Sequence, residues 1–176
     1  MNRVPTSCRP GADEYAAYYE KYIALVPDGD VLSILQTQLD SSQAFLRSTT
    51  EDRGNFAYAP GKWTLKEVVG HLSDTERIFG YRVLRISRND PTPIEGFEQD
   101  DYVRSGPFRN SKLASLAEDF AAVRRSTLSL LGNLPGESWL RRGTANKNEV
   151  SVRSLAYMIA GHELHHMAIL RDKYLP

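Results

Sequence analysis

The stretch Ser154–Leu170, SLAYMIAGHELHHMAIL, decides the fold class. Its apolar residues recur at helical spacing, and three of the chain's four histidines lie inside it. On a wheel of about 100° per residue with His162 at zero, Ile169 falls at about −20°, Leu155 at about 20°, Met158 at about −40° and Ile159 at about 60°. His166 falls at about 40°, so His162 and His166 stand within the apolar stripe rather than on the polar face. Two imidazoles one turn apart, both aimed into a core, need partners, because an unsatisfied buried polar group is costly. A shared metal ion is an economical partner. Each neutral ring can give it one nitrogen and donate its other N–H to a neighbouring acceptor. His165, at about −60°, and Glu163, at about 100°, flank the stripe on opposite sides. Geometry leaves His165 open as a ligand, ranked below the other two.

Outward from this helix, the sequence describes a bundle. Its 176 residues suffice for one domain with a core, and 41% hydrophobic and 25% charged residues are ordinary for a soluble globular chain. Lys plus Arg and Asp plus Glu both count 22, so no net charge favours nucleic acid or an anionic membrane. The single cysteine, Cys8, excludes an intrachain disulfide and a cysteine-rich zinc site, which suits a reducing cytoplasm. The N-terminus MNRVPTSCRPGADEY has no apolar core of a signal peptide, and no apolar run approaches the ~20 residues that span a bilayer. Helical periodicity predicts four long helices at 31–48, 64–87, 111–131 and 151–173. Asp28 or Asp30 caps the first, with Leu32, Leu35, Leu39 and Leu46 inward. Thr64 and Glu67 have capping-box spacing at the start of the second. The third turns Leu113, Leu116, Phe120, Val123 and Leu130 inward. DEYAAYYEKYIALV (Asp13–Val26) suits a shorter helix within an N-terminal extension, residues 1–27. RRGTANKNEV (Arg141–Val150) suits a loop or small hairpin. The expectation is a single all-α four-helix-bundle domain over 1–176, with a long crossover between its second and third helices. That crossover, residues 88–110, is long enough to suggest a functional role, covering the histidine end of the bundle.

The fourth histidine, His71, lies in GKWTLKEVVGHLSDTERIF (Gly61–Phe79), at the edge of a stripe of Val68, Leu72, Phe79, Val83 and Ile86. On its side are Glu67, Asp74, Thr75, Ile78 and Arg82, a flank suited to a polar pocket. A core histidine bonded to a backbone carbonyl is the simplest reading of His71. A third metal ligand from a facing helix is the alternative. His162, Glu163 and His166 also fit H-E-x-x-H, a helical zinc motif with Glu as general base. A metalloprotease needs a third ligand, yet MAILRDKYLP after His166 has no His or Glu, and Asp172 is on the same helix. Nor is an edge strand evident to hold a peptide.

In combination, Gly61–Phe79, PIEGFEQDDYV (Pro93–Val103), SLAEDFAAVRRSTLSLLGNLP (Ser115–Pro135) and Ser154–Leu170 resemble the DinB superfamily, including its YfiT-like metal-dependent members. The resemblance covers roughly residues 30–173. It implies a four-helix bundle with a divalent metal on one histidine of the second helix and an H-x-x-x-H pair on the last. Those positions here are His71, His162 and His166. It also implies a metal-dependent hydrolase or a thiol-dependent S-transferase acting on a small molecule, with zinc or nickel as the metal and a low-molecular-weight thiol as a further cofactor. A cytoplasmic homodimer is the expected setting, without nucleic acid or membrane partners.

Three neutral imidazoles leave a metal's charge intact, so a water in its open position is acidified, and a thiol there ionises. Glu67, Asp74 and Glu163 are candidates for proton transfer, although a solvated helix charge is the default for each. Trp63 is a candidate pocket wall or a core anchor. The reading from a different class is a metal-stabilised stress-response or binding module without turnover.

Overall fold

The capping box at Thr64 starts its helix as the spacing predicts. The Thr64 hydroxyl accepts from the Glu67 amide at 3.3 Å, and the Glu67 carboxylate accepts from the Thr64 amide at 2.7 Å. The computed structural model describes residues 6–175; residues 1–5, the start of the N-terminal extension, and residue 176 lie outside the described part. The chain is mostly helical. In order, its α-helices are α1 (Glu20–Ile23), α2 (Val31–Ser48), α3 (Glu51–Gly54), α4 (Leu65–Ser87), α5 (Gln99–Ser105), α6 (Leu113–Gly132) and α7 (Val152–Ile169), the last continuing into a π-helical turn, Leu170–Tyr174. Asp30, not Asp28, caps α2, accepting from the Ser33 amide at 3.0 Å. Ser151 and Ser154 cap α7 reciprocally, at 2.9 and 3.0 Å. The four long helices, α2, α4, α6 and α7, form the bundle. Both α2 and α4 pack against α6 and against α7.

The all-α expectation needs one correction, because a two-stranded antiparallel sheet is present. Strands β1 (Arg142–Ala145) and β2 (Asn148–Ser151) pair in register Ala145 to Asn148. The turn residues Asn146 and Lys147 hold φ of 49° and 64°, the conformation a two-residue hairpin turn requires. Ile94, from the connection between α4 and α6, joins this hairpin: its amide donates to Thr144 O at 2.9 Å, and the Asn146 amide donates to its carbonyl at 2.8 Å. The Asp13–Val26 stretch is less helical than expected. Extended backbone at Tyr15 and Ala16 splits it into two short 3-10 turns ahead of the four-residue α1. That segment lies against α7 at Gly161. A Cβ there would stand 2.1 Å from the Tyr22 carbonyl oxygen, so only glycine permits the approach. Near the end of α6, Leu131 is buried, and Leu130, expected to face inward, is only partly covered.

The core is divided in two. One apolar cluster holds Leu35, Phe79, Leu131, Met158 and Ile159; the other holds Leu39, Leu72, Phe120, Met167 and Leu170. Between them each bundle helix contributes buried polar side chains: Gln38 and Ser42 from α2, His71 and Glu76 from α4, Arg124 from α6, and His162 and Glu163 from α7. The candidate site belongs to this polar layer. No described helix is long and apolar enough to cross a membrane.

Candidate metal centre

His71 on α4 and His162 and His166 on α7 converge through the same ring atom. His162 Nε2 stands 3.1 Å from His71 Nε2 and 3.1 Å from His166 Nε2. The three ligand atoms lie within 4.8 Å of one another. Three neutral imidazoles cannot satisfy one another in this arrangement, because one Nε2 either donates its single proton or offers a single lone pair. A cation among the nitrogens satisfies all three. Two nitrogens on a tetrahedral zinc stand about 3.3 Å apart, close to the spacing seen, so the donor set fits a divalent ion. With Nε2 committed, Nδ1–H of His71 faces the Thr75 hydroxyl at 3.4 Å, a contact that orients the ring.

The surroundings keep these rings neutral. Burial pushes the His71 pKa down to about 4 and, with His71 and His165 nearby, that of His166 to about 3. Burial and the neighbouring imidazoles hold His162 well below the ordinary histidine value. Trp63 lies against His71, ring centroids 4.8 Å apart, and so acts as a wall of the cluster as well as a packing residue. Tyr22 meets His162 edge-on at 5.5 Å. His165 is directed elsewhere. It packs on Tyr22 at 5.3 Å and is not one of the three converging rings.

The structure corrects the expectation for the carboxylates. Glu163 is not a solvated helix charge; it is 2% exposed and paired with Arg124 at 2.7 Å, and Ser42 Oγ donates to its other oxygen. Arg124 is fully buried and makes a two-pronged contact with Glu76, both bonds 2.8 Å, and donates to Leu35 O and to Gln38. Glu163 therefore turns away from the nitrogens that H-E-x-x-H would have it serve, and the protease reading loses its general base. Glu67 is likewise buried, engaged by Thr64 and Arg109. Burial raises its carboxyl, but those bonds outweigh burial and its pKa is lowered. Asp74 is part-buried and contacts Arg77. Among the described residues, no carboxylate hydrogen-bonds to any of the three rings.

A cavity of about 250 Å³ opens beside His71 and His162. Its wall includes Tyr18, Tyr19 and Tyr22 from the N-terminal extension, Phe97, Glu98 and Gln99 from the α4–α6 connection, and Asn146 from the hairpin turn. Sequence reading missed the tyrosines and Arg124. The signals were there: three tyrosines within AYYEKY, and an arginine between Phe120 and Leu131 on the apolar stripe of α6.

Residues 34–170 match the family model of the DinB superfamily. The chain belongs to the DinB superfamily. Among solved structures it is similar to YfiT from Bacillus subtilis, with a TM-score of 0.71 over 94% of this chain and 91% of that one, at 16% identity. YfiT is described as "a probable metal-dependent hydrolase with an unusual four-helix bundle topology". At that identity the likeness is one of fold. No curated protein matches the chain.

Proposed function

We propose that this DinB-superfamily chain is a metal-dependent enzyme acting on a small molecule, with His71, His162 and His166 as the ligands of one divalent cation. The observation that carries this reading is the convergence of three imidazole Nε2 atoms, two of them on the buried rings of His71 and His162 in the wall of a cavity and the third on part-buried His166. Three protein ligands leave a tetrahedral ion one open position, the mark of catalytic rather than closed structural sites. A bound divalent cation supplies Lewis acidity, lowering the pKa of the water or thiol that fills that position. The chain's own part is to hold the imidazoles neutral, orient His71 through Thr75, and exclude bulk water with Trp63, Tyr22 and Phe79.

Two reactions use such a site, hydrolysis and thiol transfer. Thiol transfer is favoured by the engagement of Glu163 with Arg124 and Ser42, which takes the glutamate of H-E-x-x-H out of use as a base for water. A thiol needs less help, since its ordinary pKa of about 8.5 lies far below that of water. The assay is elemental analysis of untagged protein, with zinc and nickel the expected metals. A screen of low-molecular-weight thiols against electrophiles follows, in parallel with ester hydrolysis. Metal-dependent, thiol-dependent turnover lost in His71→Ala at unchanged helical content supports the enzyme reading. Stability that tracks metal content without turnover would instead establish a metal-stabilised module.

A further inference from the structure

Arg82 is a buried charge in the cavity wall that the metal centre leaves unused. It is 3% exposed and lines the same cavity as His71 and His162. Its Nη2 donates to Glu95 O at 3.2 Å, and its guanidinium lies 5.5 Å from the Phe79 ring centroid. Its buried Nε–H has no hydrogen-bond partner, and among the described residues no carboxylate pairs with it. The contrast with Arg124, equally buried but held by two carboxylates, is direct. A buried guanidinium without an anion is costly, and a carboxylate in the cavity would supply the charge partner it lacks.

Helix geometry relates Arg82 to the metal centre. Eleven residues of α4 separate it from His71, about 16 Å along the axis and about 20° around it, so the two share a face. Thr75 and Phe79 line the cavity between them. The arginine stem leans toward the helix N-terminus, shortening the gap to the histidines. Glu98 stands at the exposed rim and makes no ion pair with Arg82.

We infer that the molecule occupying this cavity carries a carboxylate, docked on Arg82, with its reacting end directed at His71 and His162. This rests on the metal-centre reading for its orientation, but the docking itself does not need the metal. The probes are acetate, benzoate and glutarate, each beside its neutral amide, with methyl phosphate as the competing oxyanion. They are titrated into metal-free and metal-loaded protein while the Arg82 Nε–H NMR resonance is followed. The expected result is saturable movement of that resonance by at least one carboxylate in both forms. Its amide should bind at least tenfold more weakly, and Arg82→Gln should lose the carboxylate by a similar factor while Arg82→Lys keeps part of it. Acid against amide on the unaltered protein decides the matter even if a variant misfolds. The inference is overturned if no carboxylate moves the resonance, if amides bind equally well, or if methyl phosphate binds more tightly than every carboxylate. Carboxylate docking in a protein that retains no metal would sink the metal centre and leave the anion site standing; metal retention without docking would do the reverse.

Discussion

Replacing Arg124 with methionine keeps an apolar stem in the polar layer and deletes the guanidinium. Glu76 then loses two bonds of 2.8 Å, and Glu163 loses its ion pair at 2.7 Å. Both carboxylates remain desolvated, at 4% and 2% exposure. Removing one partner from such a buried ionic group costs about 3–5 kcal/mol, because the charges left behind regain no water. That is a large part of a total stability of about 5–15 kcal/mol. At roughly 2–4 °C per kcal/mol for a chain of this length, the melting temperature falls by about 6–20 °C. The loss also depends on pH. Burial already pushes the Glu163 carboxyl up, with Arg124 the principal offset. Without Arg124 its folded-state pKa rises further above the unfolded value of about 4.3, so the folded variant binds more protons than the unfolded chain. The deficit is therefore small in acid and grows as pH rises through that raised pKa. Urea unfolding followed by far-UV circular dichroism at pH 5 and pH 8 measures both effects. Arg124→Met combined with Glu76→Leu and Glu163→Gln should recover most of the loss. A single variant within about 1 kcal/mol of the parent at pH 8, against the 3–5 expected, or a deficit unchanged by pH, would refute the reasoning.

His71→Ala, His162→Ala and His166→Ala should each cut metal content at least tenfold by elemental analysis, while His165→Ala leaves it near the parent level; the opposite ranking would show that the converging rings are not the ligands. The metal-free protein should weaken in acid. Burial holds His71 at about 4 and His166 at about 3, below the ordinary 6.5, so their neutral-form stabilisation is complete above about pH 6.5 and is lost as pH falls toward 4. A urea midpoint that stays flat from pH 7.5 to 5 would contradict this. Gly161→Ala places a methyl on the Tyr22 carbonyl and should cost about 1–3 kcal/mol, as overpacking does. It should also speed proteolysis within residues 12–26, and unchanged protection there would mean the N-terminal segment does not depend on this contact.

The long helices were legible because their signals act within a few residues. Thr64 and Glu67 are three apart, Asp30 and Ser33 three apart, and the apolar stripe of α6 repeats every three or four residues. The pairing of His162 with His166 on one face was legible for the same reason, as they are one turn apart on a single helix. The wheel also placed Glu163 at a fixed angle from His162. What it could not contain is what stands at that angle. Solvent there would have made Glu163 an ordinary surface charge; instead α2 and α6 bring Ser42 and Arg124. The approach of His71 to His162, the tyrosines of the N-terminal segment over the cavity, and the reach of Ile94 to the hairpin are of the same kind. Each depends on the rotation and register of segments far apart in the chain, which are set by how two apolar clusters pack around one polar layer. Local sequence fixes which face of a helix a residue occupies; only the packed tertiary structure decides whether that face meets water, a counter-ion or a third histidine.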